Sequence, residues 1–198
     1  MGIKFKYNKT ELQELTKQLR IRKTALPTIK HKESALRLEV RQARRRAAEL
    51  QLQIEETLQR IDYMAPLWSE FDFSLLKIKD VEMRIKNIAG VKTPVLENVR
   101  LEEKKINLFD QPAWYLDGLL ILKQLALQSV EQTFFVHKAE LLDRARKKTT
   151  QKVNLYEKVQ IPGYKEAIAK IKHFLEDQEV LAKAAQKILK NKRMRLQT

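Results

Sequence analysis

The chain has 198 residues, a third of them charged, and a formal net charge of +15. It has no cysteine, which excludes disulfide scaffolds and thiolate metal sites, and with only four glycines we expect few turns and long elements. No apolar run approaches the roughly eighteen residues of a membrane span, and the N-terminus lacks the apolar core of a signal peptide. These features predict a soluble protein.

The first third of the chain carries an uninterrupted heptad pattern. Fifteen positions follow one another at spacings of three and four residues, and twelve of them are apolar, which is typical of a coiled-coil helix. Arg22 and Glu33 fall on this stripe, where polar residues usually fix the register of pairing, and Pro27 is expected to bend the helix. The fifteen heptad positions are Leu12, Leu15, Leu19, Arg22, Leu26, Ile29, Glu33, Leu36, Val40, Ala43, Ala47, Leu50, Ile54, Thr57 and Ile61.

The middle of the chain has a different pattern. Apolar and charged residues alternate over 81–86 and again over 99–102, and a stretch with Gly90 and Pro94 lies between them. This predicts a β-hairpin with one face, including Val81, Met83 and Ile85, against a small core. The aromatic residues expected to supply that core are Tyr63, Trp68, Phe71, Phe73, Phe109, Trp114 and Tyr115.

Two further amphipathic stretches follow, separated by Ile161-Pro162-Gly163. Each stretch needs another helix to cover its apolar stripe, and the nearest one is the first helix. The hairpin reverses the chain and brings these stretches back alongside that helix. The pairing is therefore expected to be antiparallel. The predicted stripes are Leu116, Leu120, Leu127, Val130, Phe134, His137 and Leu141, and then Ile168, Ile171, Leu175, Gln178, Ala182, Ala185 and Leu189.

The predicted fold class is mainly α, a long antiparallel two-helix coiled coil with a small β-hairpin-containing lobe in mid-chain. We expect an N-terminal shaft helix over 1–62, an aromatic-rich lobe over 63–112 and a C-terminal shaft helix over 113–198 with a break near 161–163. The three segments are expected to form one continuous structural unit.

The residues offer little for catalysis. The glycines are isolated, so no phosphate-binding loop is present, and the three histidines are scattered without the spacing of a metal site. A two-helix coiled coil also lacks the water-shielded interior that acid–base chemistry needs. We expect a protein that is not an enzyme by itself and holds no cofactor or metal.

Charge is concentrated at the two ends of the chain. Residues 1–62 hold fifteen Lys/Arg against eight Asp/Glu, residues 63–112 hold eight of each, and residues 113–198 hold seventeen against nine. The densest cluster contains Arg41, Arg44, Arg45 and Arg46. It is either a solvated face that pairs within the coiled coil, which we favour, or an arginine belt that meets acidic side chains of a surrounding protein. Nucleic-acid binding is the weaker third choice, because no aromatic residues interleave for stacking.

Four motifs, in order along nearly the whole chain, resemble one family. They are Asn8-Lys9-Thr10-x-Leu12 at the start of the first helix, the turn Asn87-Ile88-Ala89-Gly90-Val91-Lys92-Thr93-Pro94, the segment Val153-Asn154-Leu155-Tyr156-Glu157 followed by Ile161-Pro162, and the final stretch from Ile168 to Glu179. Together they resemble the D subunits of the V-type and A-type rotary ATPases. Leu155-Tyr156 and Gly163-Tyr164 depart from the family's usual residues and suggest a divergent bacterial branch.

The resemblance implies a central-stalk rotor subunit that binds no nucleotide and transmits rotation between ATP hydrolysis or synthesis and ion translocation. Its implied partners are the catalytic A and regulatory B subunits of the hexamer, the small F subunit of the stalk and the funnel-shaped adaptor on the membrane ring. It implies a cytoplasmic location with only indirect membrane association and no nucleic-acid partner. Candidate partner-binding residues are Arg41, Arg44, Arg45, Arg46, Lys187, Lys190, Lys192 and Arg193. The main alternative is a basic coiled-coil scaffold that binds nucleic acid or an anionic membrane surface.

Overall fold

The computed structural model of the chain describes residues 3–104 and 111–195. Within them, the long N-terminal and C-terminal helices and the small two-stranded sheet between them confirm the predicted fold class. Three short 3-10 turns between residues 62 and 75 join the first helix to the sheet. The elements are α1 (Lys9–Arg60), β1 (Leu76–Ile88), β2 (Val91–Glu103), α2 (Tyr115–Asn154), a π-helical segment (Leu155–Gln160) and α3 (Ile161–Arg195).

Backbone contacts divide the chain into two compact units. The first combines the chain up to His31 with the chain from Thr149 onward, and the second is Lys32–Lys148. Helix α1 contributes its N-terminal part to the first unit and the remainder to the second. That the three predicted segments form one structural unit stays a prediction.

The heptad pattern of α1 is confirmed. All fifteen positions are buried or half-buried, and the helix begins where the sequence predicts, because the Glu11 backbone N–H donates to Asn8 Oδ1 at 2.6 Å. The helix continues through Pro27, which lies on its exposed side. The missing backbone donor of this proline therefore does not end the helix.

In the first unit, α1 pairs with the C-terminal half of the chain. Leu15 is buried with Ala167 and Ile171. Further along α1, Arg22 Nε donates to Gln160 Oε1 at 2.7 Å, and Lys30 Nζ lies 2.6 Å from Glu157 Oε1. Residue numbers rise on α1 while they fall on its partner, so the pairing is antiparallel, as predicted.

An irregular part of the C-terminal helical stretch lies directly before the predicted break near 161–163. The irregular stretch is the π-helical segment Leu155–Gln160, and Pro162 and Gly163 are already within α3. Pro162 lies inside a continuous helical stretch, directly after the π-helical segment, where the Ile161 backbone N–H donates to the Tyr156 carbonyl. Its missing N–H therefore falls where the helical hydrogen-bond pattern is already irregular. The backbone at Gly163 passes close to the side chain of Ile3, since a Cβ at this position would lie 3.1 Å from Ile3 Cδ1.

In the second unit, α1 packs on α2 and on the end of the hairpin. Leu36, Val40 and Leu142 form a buried cluster, and Ala89 and Val91 from the hairpin turn pack against it. These small and branched side chains bury apolar surface at the junction of two helices and a strand. This cluster fixes the turn end of the hairpin on the helix pair.

The hairpin itself is tight and regular at its turn. β1 and β2 pair antiparallel, with Ile88 opposite Val91. The two connecting residues, Ala89 and Gly90, have φ values of 52° and 86°, as a type I′ turn requires. Glycine adopts this conformation without steric cost, whereas Ala89 does so at some expense.

One prediction for the hairpin is wrong in detail. Val81 is half-buried, but Met83 and Ile85 are exposed. The reason is that the hairpin packs on the helices through its turn end rather than along the whole of one face.

The aromatic core of the lobe is largely confirmed. Phe71 and Tyr115 are buried with their ring centroids 4.6 Å apart, and Trp68 and Trp114 pack against them half-buried. Gly118 makes this possible, since a Cβ there would lie 3.1 Å from the ring of Phe71. Tyr63 and Phe73 remain exposed, and Phe109 lies outside the described residues.

The predicted stripe of α2 is mostly exposed, and only Val130 and Phe134 within it are half-buried. Leu116, Leu120, Leu127 and Leu141 are exposed, as is His137. The buried residues lie beside the predicted positions, one residue before them at Tyr115 and Leu119 and one residue after them at Leu142, and one residue is about 100° around an α-helix. Its buried residues are Tyr115, Gly118, Leu119, Ala139, Leu142 and Asp143.

The buried cluster predicts where stability is most sensitive. Leu142 is fully buried, so we expect Leu142→Ala to lower the free energy of unfolding by about 2–5 kcal/mol. Urea unfolding followed by far-ultraviolet circular dichroism measures this change.

The matched control is Leu52→Ala, since Leu52 is a leucine of α1 that is 58% exposed, and its expected cost is within about 0.5 kcal/mol. Equal costs for the two variants would show that α2 packs through a different face.

Candidate partner-binding surfaces

The eight predicted partner-binding residues lie in two groups. Arg41, Arg44, Arg45 and Arg46 are on the part of α1 that belongs to the second unit, and the other four are near the end of α3 in the first. Their role in partner binding stays a prediction, but the structure shows which of them already have acceptors within the chain.

Arg44 belongs to a cluster of cations around one buried carboxylate. Asp143 Oδ1 accepts from Arg146 Nε at 2.8 Å, while Oδ2 lies 3.3 Å from Lys147 Nζ and 3.4 Å from Arg44 Nη2. Two of these cations come from α2 and one from α1. Asp143 therefore links α1 to α2, and the three surrounding cations offset the free-energy cost of burying its carboxylate.

The hydrogen bond from Arg146 lowers the pKa of Asp143, and Lys147 lowers this pKa further, against the opposing effect of burial. A lowered folded-state pKa means that the folded protein holds the carboxylate form more firmly than the unfolded chain does. This contribution to stability is complete above the unfolded pKa and is lost as the pH falls through the folded pKa.

Arg46 also joins α1 to α2. Its Nε and Nη2 donate to Glu131 Oε1 at 3.2 and 2.9 Å, and both side chains are partly buried. Partial burial shields the pair from screening by salt, so it contributes more than a fully exposed pair. For Arg44 and Arg46, the structure thus supports pairing within the coiled coil.

Arg41 and Arg45 point to solvent. Arg45 Nε lies 2.9 Å from Glu49 Oε1 on its own helix, and its side chain is 81% exposed. Arg41 is exposed at a shallow groove that Val40 and Asp143 also line. Of the four arginines, these two remain the more accessible to another protein.

The last part of α3 is not covered by any other element of the described residues. Every residue from Glu176 to Met194 is exposed, including Gln178, Ala182, Ala185 and Leu189 of the predicted stripe. That part of the predicted pairing is therefore wrong for this chain on its own. The physical reason is length, because the α1 pairing in this unit ends in the cluster of Leu15 with Ile171 and Leu175.

This exposed part of α3 combines apolar and basic side chains. Leu181, Ile188 and Leu189 are each more than 60% exposed. The four predicted basic residues, Lys187, Lys190, Lys192 and Arg193, lie among them and are exposed as well. A helix end that presents both an apolar surface and four cations can pack on another protein with acidic side chains.

Among residues 3–104 and 111–195, no cluster of three or more His, Asp or Glu side chains could hold a metal ion. In the same ranges, none of the helices has the length and apolar composition that crossing a membrane requires.

Comparison with known proteins places the chain in a family. A sequence model that describes the D subunit of ATP synthase matches residues 11–191, which is most of the chain. The chain belongs to this family of ATP synthase D subunits. It is 33% identical to the V-type ATP synthase D subunit of Borreliella burgdorferi over 190 residues, which cover 95% of this chain and 94% of that one.

Two further relatives are also V-type ATP synthase D subunits. The V-type ATP synthase D subunit of Chlamydia abortus is 31% identical over 85% of this chain and 84% of its own length. The corresponding protein of Chlamydia muridarum is 29% identical over 97% of both chains. The similarity therefore spans both helical ends and the lobe between them.

Two tyrosines of the C-terminal half contact Arg22. Both lie beside its guanidinium, whose Cζ is 5.9 Å from the ring centroid of Tyr156 and 4.7 Å from that of Tyr164. Together with the hydrogen bond to Gln160, these cation–π contacts hold the one arginine of the α1 heptad stripe against the π-helical segment.

The Asp143 cluster yields a pH-dependent prediction. Asp143→Asn removes the charge that three cations face, and we expect the free energy of unfolding at pH 7 to fall by about 1–3 kcal/mol. The difference from the parent chain should shrink as the pH falls through the lowered pKa of Asp143. Urea titrations between pH 7 and pH 2 measure this difference.

The matched control is Asp117→Asn, an exposed aspartate of the same helix. A loss for Asp143→Asn that stays constant over the whole pH range would contradict the assigned role of the carboxylate.

Proposed function

We propose that this chain is the central-stalk rotor subunit of a V-type or A-type ATPase, transmitting rotation between the nucleotide sites of the hexamer and ion translocation in the membrane. The observation that carries the proposal is the family match over residues 11–191. In this role the subunit is not itself catalytic. It acts mechanically, through the paired helices that its sequence specifies.

The packing of the helices suits the transmission of torque. A shaft must resist twisting, so its helices must not slide past each other. In both units the apolar stripe of α1 is covered, and polar contacts cross between the helices at Arg22–Gln160 and Arg46–Glu131. Polar contacts of this kind fix register, because a shift of the helices would leave buried polar groups unpaired.

Coupling to the nucleotide sites follows from linkage. An asymmetric shaft that favours a different conformation of each catalytic site in turn makes nucleotide affinity depend on shaft angle. By reciprocity, nucleotide occupancy then biases the angle. The rotor needs no nucleotide site of its own for this purpose.

We place the exposed end of α3 inside the hexamer of catalytic A and regulatory B subunits. Its exposed leucines and isoleucine supply apolar contact, and Lys187, Lys190, Lys192 and Arg193 supply positive charge for acidic side chains around them. The second proposed contact is made by Arg41 and Arg45. Arg44 and Arg46 lie beside them and already pair with Asp143 and Glu131 of α2. The small F subunit of the stalk and the funnel-shaped adaptor of the membrane ring are the proposed partners elsewhere on the chain, which stays on the cytoplasmic side.

A second candidate is a scaffold that binds nucleic acid or an anionic membrane. The net charge of +15 and the exposed basic end of α3 favour it. It predicts binding by the purified chain that weakens steeply with salt, whereas the rotor proposal predicts stable binding to other ATPase subunits at physiological salt.

Neutralising the end of α3 tests the rotor proposal. We expect the variant with Lys187, Lys190, Lys192 and Arg193 all changed to Gln to bind the hexamer about tenfold more weakly, since several partly screened contacts are lost together. ATP hydrolysis that depends on the stalk should fall in parallel. Binding to the purified hexamer and hydrolysis by the reconstituted complex are the two measurements.

The matched control changes Lys32, Arg60, Lys77 and Lys86 to Gln, four exposed basic residues of the second unit. The proposed contact is wrong if both quadruple variants bind and support hydrolysis as the parent chain does. Salt-sensitive binding of the parent chain to DNA or anionic vesicles, with no binding to the hexamer, would favour the scaffold instead.

A further inference from the structure

The π-helical segment Leu155–Gln160 contains an extra residue. Directly after it, the Ile161 backbone N–H donates to the Tyr156 carbonyl, which lies five residues back rather than the four of an α-helix. A turn closed by such a bond encloses one residue more than an α-helical turn does. We call this the inserted residue, and it lies within the first unit of the chain.

The contacts with α1 show the same insertion. Residues on the paired side of a coiled-coil helix follow one another at spacings of three and four. The three residues that contact Arg22 are Tyr156, Gln160 and Tyr164, which are spaced by four and again by four. Ala167 and Ile171, which pack with Leu15, then continue at three and four. One residue is therefore added between Tyr156 and Tyr164 without loss of pairing on either side.

Arg22 spans the inserted residue. Its Nε donates to Gln160 Oε1 at 2.7 Å, and its Cζ lies 5.9 Å from the ring centroid of Tyr156 on one side and 4.7 Å from that of Tyr164 on the other. The guanidinium is itself held in place, because Nη1 donates to Gln18 Oε1 at 2.5 Å. A single side chain of α1 thus contacts the helix before, within and after the wide turn.

Pro162 accounts for the position of the wide turn. In an α-helix the N–H of residue 162 would donate to the carbonyl of Lys158, and proline has no N–H to donate. The α-helical bonding is therefore incomplete at this point whether or not the turn is widened. An inserted residue is less unfavourable here than in an uninterrupted helix.

The two sides of the segment differ in how firmly they are packed. On the C-terminal side, Ala167 and Ile171 are 2% and 0% exposed, whereas on the N-terminal side Val153 and Tyr156 are only half-buried. If the inserted residue moves along the helix, each residue that it passes turns by about 100° and shifts by about 1.5 Å. Such a movement would expose buried apolar surface on the C-terminal side but little on the N-terminal side.

We propose that the inserted residue is movable toward the N-terminus, into the last turns of α2, and that Arg22 is the latch that holds it at Leu155–Gln160. The helix stays continuous during this movement, because one five-residue hydrogen bond replaces another. Only the residues that are passed change the side they turn toward α1.

In the shaft proposed above, this movement would change the local surface of the stalk while the burial of Ala167 and Ile171 is kept. The inference rests on the proposed function only for this use. The tests use the purified full-length chain, so their failure would leave the proposed function unaffected.

Deletion of one residue tests the insertion. Val159 is 46% exposed, and its deletion should convert the wide turn into an α-helical one while the residues on both sides keep their register. We expect the melting temperature, followed by far-ultraviolet circular dichroism, to stay within about 3 °C of that of the parent chain.

The matched control is deletion of Thr24, an exposed residue of α1 between Arg22 and Lys30, whose Nζ lies 2.6 Å from Glu157 Oε1. Helix α1 is α-helical throughout this part, so the deletion turns one part of it by about 100° against the other. It should lower the melting temperature by more than about 10 °C or abolish cooperative unfolding. Equal losses for the two deletions would show that the segment holds no removable residue.

Hydrogen exchange followed by mass spectrometry tests the latch. Arg22→Leu keeps an apolar side chain in the heptad stripe but removes the hydrogen bond and the cation–π contacts. We expect exchange over residues 150–161 to accelerate by about tenfold, and exchange over residues 167–171 to stay within about twofold of the parent. The matched control, Lys23→Leu, replaces an exposed cation of the same helix and should leave both regions within about twofold.

The combination of the two changes separates a movable residue from general loosening of the pair. In the chain that lacks Val159, no inserted residue remains, so Arg22→Leu should accelerate exchange over residues 150–161 by less than about twofold. A tenfold acceleration there would overturn the inference. So would an Arg22→Leu effect that is absent from residues 150–161, or one that is as large over residues 167–171.

Discussion

The structure depends on one constraint, which is that the apolar heptad stripe of α1 must be covered by the returning half of the same chain. In the first unit α3 covers it through Ala167 and Ile171, and in the second unit α2 covers it through Leu142. An apolar stripe that long would associate with another molecule if it stayed open. The hairpin and the aromatic lobe reverse the direction of the chain, so that α2 can pair with α1. The turn end of the hairpin then packs on this helix pair.

The sequence specifies α1 and the hairpin well, because each is governed by a local pattern. The heptad stripe of α1 is single and uninterrupted, so it determines which side of the helix is buried. The Ala89-Gly90 pair likewise indicates where the hairpin turns and with which turn type. Helix α2 is different, because Leu119, Leu120, Ile121 and Leu122 are consecutive and an apolar stripe can be drawn on more than one side. The periodicity shows that α2 has an apolar stripe but not which side of the helix packs on the rest of the chain, so most of the predicted positions proved to be exposed.

The candidate site was predictable in composition but not in pairing. The sequence identifies the basic residues but not which of them are already paired within the chain. Arg44 differs from Arg45 in this respect because it contacts Asp143, which is distant in sequence. The same holds for Arg22, whose contacts with Tyr156 and Tyr164 depend on where the π-helical segment falls. Long-range polar contacts follow from register, and register follows from apolar packing that no local pattern encodes.

The central claim is that the chain is a shaft that turns, and direct observation of rotation tests it most directly. The chain has no cysteine, so Lys77→Cys on exposed β1 gives a single attachment point for an optical probe in a complex immobilised through its hexamer. We predict that the probe rotates in one direction during ATP hydrolysis and pauses at each of the three catalytic sites. A probe that stays fixed while the same complex hydrolyses ATP would contradict this claim.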